Sequence, residues 1–223
     1  KNDNLGGCWY SKSYPNVILQ TDKNSYCYSD MPHKKNTSKF PSRKEILNYL
    51  HTYCQKFKLY KYVKFNSQVI ETSKKDGKWK INYMREGNEY VIYSKYLCIC
   101  SGFYNEPIIP KFKGIQNYKG VIKHSQDWSY TGKETVETFK NKNVLVIGNG
   151  PSGCDLACLA AKNEAKNVTL LYRTDRWLFE RFNYFFSIDI FINRGFLWFG
   201  NYVKRSLSLK LLHLLNIIYF LIL

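Results

Sequence analysis

One stretch, "VLVIGNGPSGCDLACLA" at residues 144–160, constrains the fold of this chain more than any other. Its first four residues are apolar and predict a buried strand, while the small residues after the glycines predict a closely packed helix. Between them, Gly148, Gly150 and Gly153 have the spacing G-x-G-x-x-G. The first glycine permits a tight turn, the second lets backbone approach a pyrophosphate, and the third lets helix and strand pack together. The pattern therefore predicts a dinucleotide-binding strand–turn–helix unit.

The end of the next predicted strand, 168–172, distinguishes between two dinucleotides. NAD-binding units usually carry an acidic residue there, which accepts hydrogen bonds from the ribose hydroxyls. This chain instead has Arg173 and Thr174. A guanidinium and a hydroxyl suit a 2′-phosphate and favour NADPH. The adjacent Asp175 argues against this choice, and a surface role for Arg173 stays open as the alternative.

The residues before the glycine turn predict helices and antiparallel strands. Residues 41–57 have apolar side chains at helical spacing, with Ser42 as N-cap and Glu45 three residues later. Alternating apolar and polar residues between 62 and 94 predict several antiparallel strands, and 96–100 predicts a further apolar strand. We expect an α/β protein interrupted by a small β-meander.

The composition excludes wholesale disorder, because 44% of the residues are hydrophobic. The net charge is +17, but the lysines are scattered and form no recognisable nucleic-acid-binding signature. We interpret them as solvated surface residues and predict no nucleic-acid partner. A surface for nucleic acid or anionic lipid is the alternative.

The cysteines and histidines predict neither a disulfide framework nor a metal site. The seven cysteines include no Cys-x-x-Cys pair, and the four histidines show no metal-ligand spacing. Cys98 and Cys100 alternate in the apolar segment 96–100, and Cys154 and Cys158 lie one helical turn apart. We expect both pairs to be small buried side chains in a reducing compartment.

If NADPH binds the second half of the chain, the first half should hold the group that accepts its hydride. Gly6 and Gly7 would let backbone approach a bulky flavin, and Trp9 could pack on it. Ser101 and Gly102 end a predicted strand, where α/β sheets commonly bind ligands. A first glycine-rich turn is absent, and the chain does not start with methionine. We therefore expect a fragment.

These segments together resemble the flavin-containing monooxygenases, the class B flavoprotein monooxygenases. "GGCWY", "YCYSDMP", "YLCICSGFYNEPIIP", "YKGVIKHSQDW" and "VLVIGNGPSGCDLA" follow the order of that family between residue 6 and about residue 177. The family fingerprint F-x-G-x-x-x-H-x-x-x-(Y/F) corresponds to Tyr118, Gly120, His124 and Trp128. Both aromatic ends differ from the pattern, and a final tryptophan is also typical of Baeyer–Villiger monooxygenases.

The resemblance implies a Rossmann-like flavoprotein with two dinucleotide-binding domains, truncated at both ends. Residues 1–110 would be part of the FAD-binding domain with its β-meander. Residues 111–141 would be a linker that carries the fingerprint. Residues 142–223 would be part of the NADPH-binding domain with an aromatic and apolar insertion.

The resemblance also implies an activity. NADPH would reduce FAD, and a C4a-hydroperoxyflavin would oxygenate soft nitrogen or sulfur nucleophiles of small molecules, as in N,N-dimethylaniline monooxygenases. Ketone oxygenation of the Baeyer–Villiger type is one alternative. A non-catalytic basic module that binds membrane or nucleic acid is another. We expect the chain by itself to be inactive.

Site residues follow from the matching motifs. Gln20 stands where many family members have an asparagine beside the flavin, so a catalytic role is a hypothesis. We interpret His124 and Trp128 as linker and packing residues. The residues that the resemblance assigns to cofactors are Gly6, Gly7, Trp9, Val69, Ser101 and Gly102 for FAD, Gly148, Gly150, Ser152 and Gly153 for the NADPH pyrophosphate, and Arg173 and Thr174 for its 2′-phosphate.

The last residues are strongly apolar. Residues 211–223, interrupted by His213 and Asn216, are shorter than the roughly 20 residues needed to span a bilayer. Together with the aromatic stretch 177–198, they predict either peripheral membrane contact through 177–223 or a buried helix and lid. We expect a cytoplasmic protein, with association at the cytosolic face of the endoplasmic reticulum membrane as the open alternative.

Overall fold

The computed structural model describes residues 1–128 and 138–175. The chain divides into two compact units, Lys1–Leu19 with Pro41–Trp177 and Gln20–Phe40 with Leu178–Leu223. Helices and strands both occur in the first unit, in agreement with the predicted α/β class. The aromatic stretch 177–198 and the apolar residues 211–223 lie outside the described residues.

Two helices form the first part of the larger unit: α1, Cys8–Ser11, and α2, Arg43–Lys56. Helix α2 begins with the predicted capping box. The Ser42 hydroxyl accepts a hydrogen bond from the Glu45 N–H, and a Glu45 carboxylate oxygen accepts one from the Ser42 N–H at 2.8 Å. These bonds satisfy donors that the first turn of a helix leaves without partners. The predicted start of this helix is confirmed.

Helices α1 and α2 pack through a glycine and an arginine. A Cβ at Gly6 would lie 2.3 Å from a methyl carbon of Leu47 in α2, and Gly6 has φ of +112°, so both packing and backbone conformation favour glycine there. The Arg43 guanidinium donates hydrogen bonds of 2.6 and 2.7 Å to the carbonyls of Trp9 and Tyr10 in α1. Since helix carbonyls near the C-terminus lack partners within the helix, these bonds stabilise the short α1.

A three-stranded antiparallel meander follows: β1, Ser67–Lys75; β2, Lys78–Arg85; and β3, Asn88–Ser94. Each hairpin closes in two residues, Asp76-Gly77 and Glu86-Gly87, all of which have positive φ. Positive φ at both central residues is the conformation of type I′ turns, whose twist matches that of paired strands. The predicted meander is confirmed.

The predicted strand at 96–100 is wrong for the described part of the chain, where this segment pairs with no strand. Tyr96 and Ile99 are 77% and 79% exposed, and Cys98 and Cys100 are exposed as well. An apolar run becomes a strand only when a neighbouring backbone accepts and donates its ladder hydrogen bonds. The expectation that both cysteines are buried is therefore also wrong.

The glycine unit forms β4, Asn143–Ile147; α3, Pro151–Lys162; and β5, Asn167–Leu171. Strands β4 and β5 are parallel, with α3 as the crossover between them. One sheet face packs against a small core of Phe139, Leu159 and Ala160, joined by Trp128, Val144, Leu156, Ala165 and Val168. Cys154 is half-buried and Cys158 is exposed, so the expectation of a buried pair on α3 is also wrong.

The third glycine of the turn is required by packing. A Cβ at Gly153 would lie 1.9 Å from the carbonyl oxygen of Gly148, far inside van der Waals contact. Gly148 itself has φ of +105°, a conformation that side chains with a Cβ rarely adopt. Strand β4 and helix α3 therefore meet backbone to backbone, as the G-x-G-x-x-G spacing predicts.

A hydrogen bond between distant residues ties α3 to the start of the chain. Tyr14 is only 8% exposed as a residue. Its hydroxyl donates a hydrogen bond to a carboxylate oxygen of Asp155 at 2.9 Å. The two residues are 141 positions apart in sequence. This bond therefore links the segment after α1 to the helix of the glycine unit.

In the smaller unit, the described segment Gln20–Phe40 is held by backbone carbonyls around one ammonium group. A short 3-10 helix, Lys23–Ser25, is capped by the Asp22 side chain. The Lys23 ammonium donates to three carbonyls within 34–37, at 2.6, 3.0 and 3.2 Å. These bonds hold the two ends of this segment together.

Within residues 1–128 and 138–175, none of the helices combines the length and apolar character that crossing a bilayer requires.

The close approach of Gly148 and Gly153 predicts an asymmetry between two alanine substitutions. Gly153→Ala should destabilise the full-length protein, which is the complete product of the gene, by about 3 kcal/mol or more. Gly150→Ala should cost about 1 kcal/mol or less, because a Cβ there meets no described atom within 4 Å and φ is −71°. Soluble yield and melting temperature measure both effects. Equal losses for the two variants would contradict the close approach.

The Tyr14–Asp155 bond predicts a smaller, local effect. Tyr14→Phe removes a donor to a carboxylate and should cost about 1 kcal/mol, which lowers the melting temperature by roughly 2–4 °C. Tyr62→Phe is the matched control, because Tyr62 is 73% exposed and should tolerate the same change. Differential scanning fluorimetry measures both variants. A shift of the same size in the control would show that the bond to Asp155 contributes nothing.

Candidate functional site

The glycine turn leaves open space at its centre. Strand β4 ends at Ile147, and the Gly148 N–H donates a 2.8 Å hydrogen bond to the carbonyl of Leu171 at the end of β5. A Cβ built at Gly148 or Gly150 would meet no described atom within 4 Å. The backbone is therefore accessible on the side where a pyrophosphate would lie.

Helix α3 presents its N-terminus to this space. Gly150 is the N-cap and provides no side-chain cap, and Pro151 occupies the first helical position. The N–H groups of a first helical turn have no acceptor within the helix, and the helix dipole adds positive potential there. The described first turn contains no acidic residue. Ser152, half-buried in the same turn, places a hydroxyl at this N-terminus, the end of a helix that can hold an anion.

The residues predicted for the 2′-phosphate lie beside the same turn. Arg173 and Thr174 directly follow β5 and are exposed. The side-chain amide of Asn149 donates a 2.9 Å hydrogen bond to the carbonyl of Thr174. The structure thus brings the predicted pyrophosphate and 2′-phosphate residues into one neighbourhood. Asn149 was missed from the sequence, because its position in the motif accepts any residue.

Tyr14 and Asp155 were also missed. The bond between them links residues 141 positions apart that no local sequence pattern connects. One signal was present, since Asp155 is a carboxylate in a helix otherwise rich in small apolar side chains. A charged residue in such a helix needs a partner when it is half-buried.

The predicted flavin residues fall into different surroundings. Leu47 fills the space beside Gly6, which accounts for a glycine there by packing. Gly7 and Gly102 have φ of +53° and +78°, and a Cβ at either would meet no described atom within 4 Å. Trp9 is half-buried. Of the glycines predicted for the flavin, Gly7 and Gly102 thus have open space beside the backbone, whereas Gly6 does not.

The segment that follows Gly102 docks on α1. The Cys8 thiol donates to the Tyr104 carbonyl at 3.1 Å, and the Lys12 ammonium donates to the carbonyl of Asn105. The same ammonium lies 3.9 Å from a carboxylate oxygen of Glu106. Two of the motifs assigned to the flavin are therefore neighbours in space, although about 90 residues separate them.

The remaining predicted residues are dispersed. Ser101 is exposed, and Val69 is 56% exposed at the bulge where β1 shifts its register against β2. Gln20 is exposed and belongs to the smaller unit. Its catalytic role stays a hypothesis.

His124 and Trp128 have structural contacts. The Asp127 carboxylate accepts a 2.9 Å hydrogen bond from the His124 N–H, which forms a turn. The Trp128 ring stacks on Phe139 with centroids 5.2 Å apart. Both observations agree with the interpretation of these residues as linker and packing residues.

Other reactive side chains do not form a second centre in the described ranges. No three His, Cys, Asp or Glu side chains among residues 1–128 and 138–175 come together to hold a metal. Burial raises the pKa of the Cys54 thiol, which reduces its thiolate fraction at neutral pH.

Comparisons with known proteins agree with this geometry. The chain is similar to flavin-containing monooxygenase 5 of Rattus norvegicus, with 32% identity over 197 residues that cover 81% of the chain and 36% of the relative. It resembles the crystal structure of Tmm from Pelagibacter sp., with a TM-score of 0.69, 28% identity and coverage of 78% of this chain and 43% of that one. It also resembles OTEMO in complex with FAD and NADP, with a TM-score of 0.66, 28% identity and coverage of 79% and 34%.

The chain thus spans between 34% and 43% of the length of these three proteins. The family "Flavin-binding monooxygenase-like" (FMO-like) matches residues 3–217, which is nearly the whole chain. The α/β flavoprotein fold and the family expected from the motifs are therefore confirmed, and the chain belongs to the flavin-binding monooxygenase-like family.

Proposed function

We propose that this chain is part of an FAD- and NADPH-dependent monooxygenase that oxygenates soft nitrogen or sulfur nucleophiles of small molecules. The observation that carries the proposal is the glycine turn between β4 and α3, within a chain that matches the family over residues 3–217. The structural neighbour OTEMO was solved with FAD and NADP, which supports the same pair of cofactors here.

The turn would hold NADPH through backbone groups. Gly148, Gly150 and Gly153 shape the turn, and the N–H groups of the first turn of α3, with the Ser152 hydroxyl, would donate to the pyrophosphate. Arg173 and Thr174 would donate to the 2′-phosphate. The open space at Gly148 and Gly150 fits this assignment, because nothing in the described residues fills it.

The flavin would lie on the α1 side of the larger unit. Gly7 and Gly102 leave room for a bulky ring system, and Trp9 is close to Gly7 in sequence. Gly6, Val69 and Ser101 remain proposed contacts on the strength of the resemblance. Bound FAD would accept the hydride of NADPH and activate oxygen, so the protein's own groups would bind, orient and exclude water. Gln20 remains a proposed catalytic side chain.

The substrate class rests on family membership. Trp128, whose position also suits ketone-oxygenating enzymes, packs on Phe139 in the core, and its size is therefore explained without reference to substrate. We accordingly favour nitrogen or sulfur oxygenation over ketone oxygenation. The proposed partners are a small nucleophile and oxygen, with no nucleic acid. We also propose domain limits at residues 110 and 141 and a cytoplasmic location. Membrane contact through 177–223 is a further proposal.

The proposal predicts a flavoprotein that prefers NADPH. The full-length protein should purify with bound flavin, and the flavin absorbance near 450 nm should bleach faster with NADPH than with NADH. Oxygen and N,N-dimethylaniline or a thioether should then yield an N-oxide or a sulfoxide, while a cyclic ketone serves as the alternative substrate. Lactone formation alone would favour the ketone alternative. Absence of flavin, together with polyanion binding that weakens steeply with salt, would favour a basic binding module.

Arg173 should determine the preference for NADPH. Arg173→Ala should raise the KM for NADPH by about 10- to 100-fold, because a charge-assisted contact to the 2′-phosphate is lost. The KM for NADH should stay unchanged. Lys166→Ala is the matched control, since it removes the same charge just before β5, at the strand's opposite end. Steady-state kinetics with both nucleotides measure the difference. A parallel rise in both KM values would refute the assignment.

A further inference from the structure

The residues that follow β5 are held to the glycine turn at two points. The Gly148 N–H donates to the Leu171 carbonyl at 2.8 Å, which fixes the last residue of the strand. Three residues later, the Asn149 side-chain amide donates to the Thr174 carbonyl at 2.9 Å. Tyr172 and Arg173 therefore form a bridge of two residues that is anchored at both ends by neighbouring residues of one turn.

We infer that Asn149 is a positioning residue that determines the preference for NADPH by holding Arg173 and Thr174 beside the 2′-phosphate. This inference rests on the proposed function and extends it to a residue that the G-x-G-x-x-G motif leaves undefined. Asn149 acts through the Thr174 backbone, whereas Arg173 and Thr174 contact the nucleotide.

The bond from Asn149 to Thr174 has two effects on nucleotide binding, one on the order of the bridge and one on charge. Exposed loop residues lose backbone entropy when they take up one conformation, and a loop anchored at both ends has lost part of it before the nucleotide binds. The Asn149 amide also donates to the Thr174 carbonyl oxygen, which lies next to the expected position of the 2′-phosphate. If the Thr174 carbonyl could rotate toward the 2′-phosphate, nucleotide binding would be weaker, because the partial negative charge of the oxygen repels the phosphate.

The effect should be confined to the 2′ end of the nucleotide. The groups assigned to the pyrophosphate are the backbone of Gly148 and Gly150 and the N-terminus of α3. These groups do not depend on the Asn149 side chain, since the bond from Gly148 to Leu171 keeps the turn on β5. Removing the amide should therefore weaken ligands that carry a 2′-phosphate and spare those that lack it.

The test uses two variants of the full-length protein. Asn149→Ala removes the amide, and Asn149→Leu removes it while keeping a similar volume. Isothermal titration calorimetry with 2′,5′-ADP, NADP⁺ and NAD⁺ measures binding without turnover. Both variants should weaken 2′,5′-ADP and NADP⁺ by roughly 3- to 10-fold, the range for one hydrogen bond, and leave NAD⁺ within about twofold. The ratio of kcat/KM for NADPH over NADH should fall by the same factor, with kcat nearly unchanged.

Asn143→Ala is the matched control. Asn143 accepts a 2.8 Å hydrogen bond from the Asn167 side chain, so the variant also removes an exposed amide contact between β4 and β5, but away from the turn. It should leave all three affinities unchanged. If the native protein binds 2′,5′-ADP and the Asn149 variants bind it equally well, the inference is wrong while the proposed function stands. Equal weakening of NAD⁺ and NADP⁺ would also overturn it. Failure of the native protein to bind 2′,5′-ADP would overturn the NADPH assignment itself.

Discussion

The backbone contact between Gly148 and Gly153 is the constraint on which the glycine unit depends. Because the Gly148 carbonyl oxygen occupies the place of a Cβ at position 153, helix α3 begins directly against the end of β4. Any side chain there would push the helix outward and turn its first N–H groups away from the open space at Gly150. The approach therefore sets where the first N–H groups of α3 lie, and the parallel pairing of β4 with β5 and the bond from Gly148 to Leu171 keep the end of β5 beside them.

Long-range hydrogen bonds extend this arrangement to the rest of the larger unit. Asp155 lies one turn into α3 and accepts from Tyr14, which follows α1. Helix α1 in turn holds the segment around Asn105 through Lys12. The groups proposed to bind flavin and those proposed to bind NADPH are thus connected within one unit by side chains that need not contact either cofactor. Such a framework would hold the two proposed binding sites in a fixed relation to each other.

Features governed by neighbours in sequence were predictable, and features governed by distant partners were not. The capping box of Ser42 and Glu45 and the turn before α3 follow from patterns a few residues long, and the structure contains both. The run at 96–100 has the composition of a strand, yet composition does not supply the neighbouring backbone that a strand needs. The bond between Tyr14 and Asp155 depends on the completed fold, because neither residue has a periodic or motif signal that names the other.

The two hairpin loops of the meander have a consequence for how the chain assembles. Asp76-Gly77 and Glu86-Gly87 join β1, β2 and β3 through the shortest common connection, so every strand pair in this sheet forms between residues close in sequence. The chain needs to close only small loops to build it, and such loops close fast. The pairing of β4 with β5 must instead wait for a helical crossover, and Tyr14 must find a partner across most of the chain. The meander is thus suited to form first and to be a local scaffold during folding, while the glycine turn between β4 and α3 forms later.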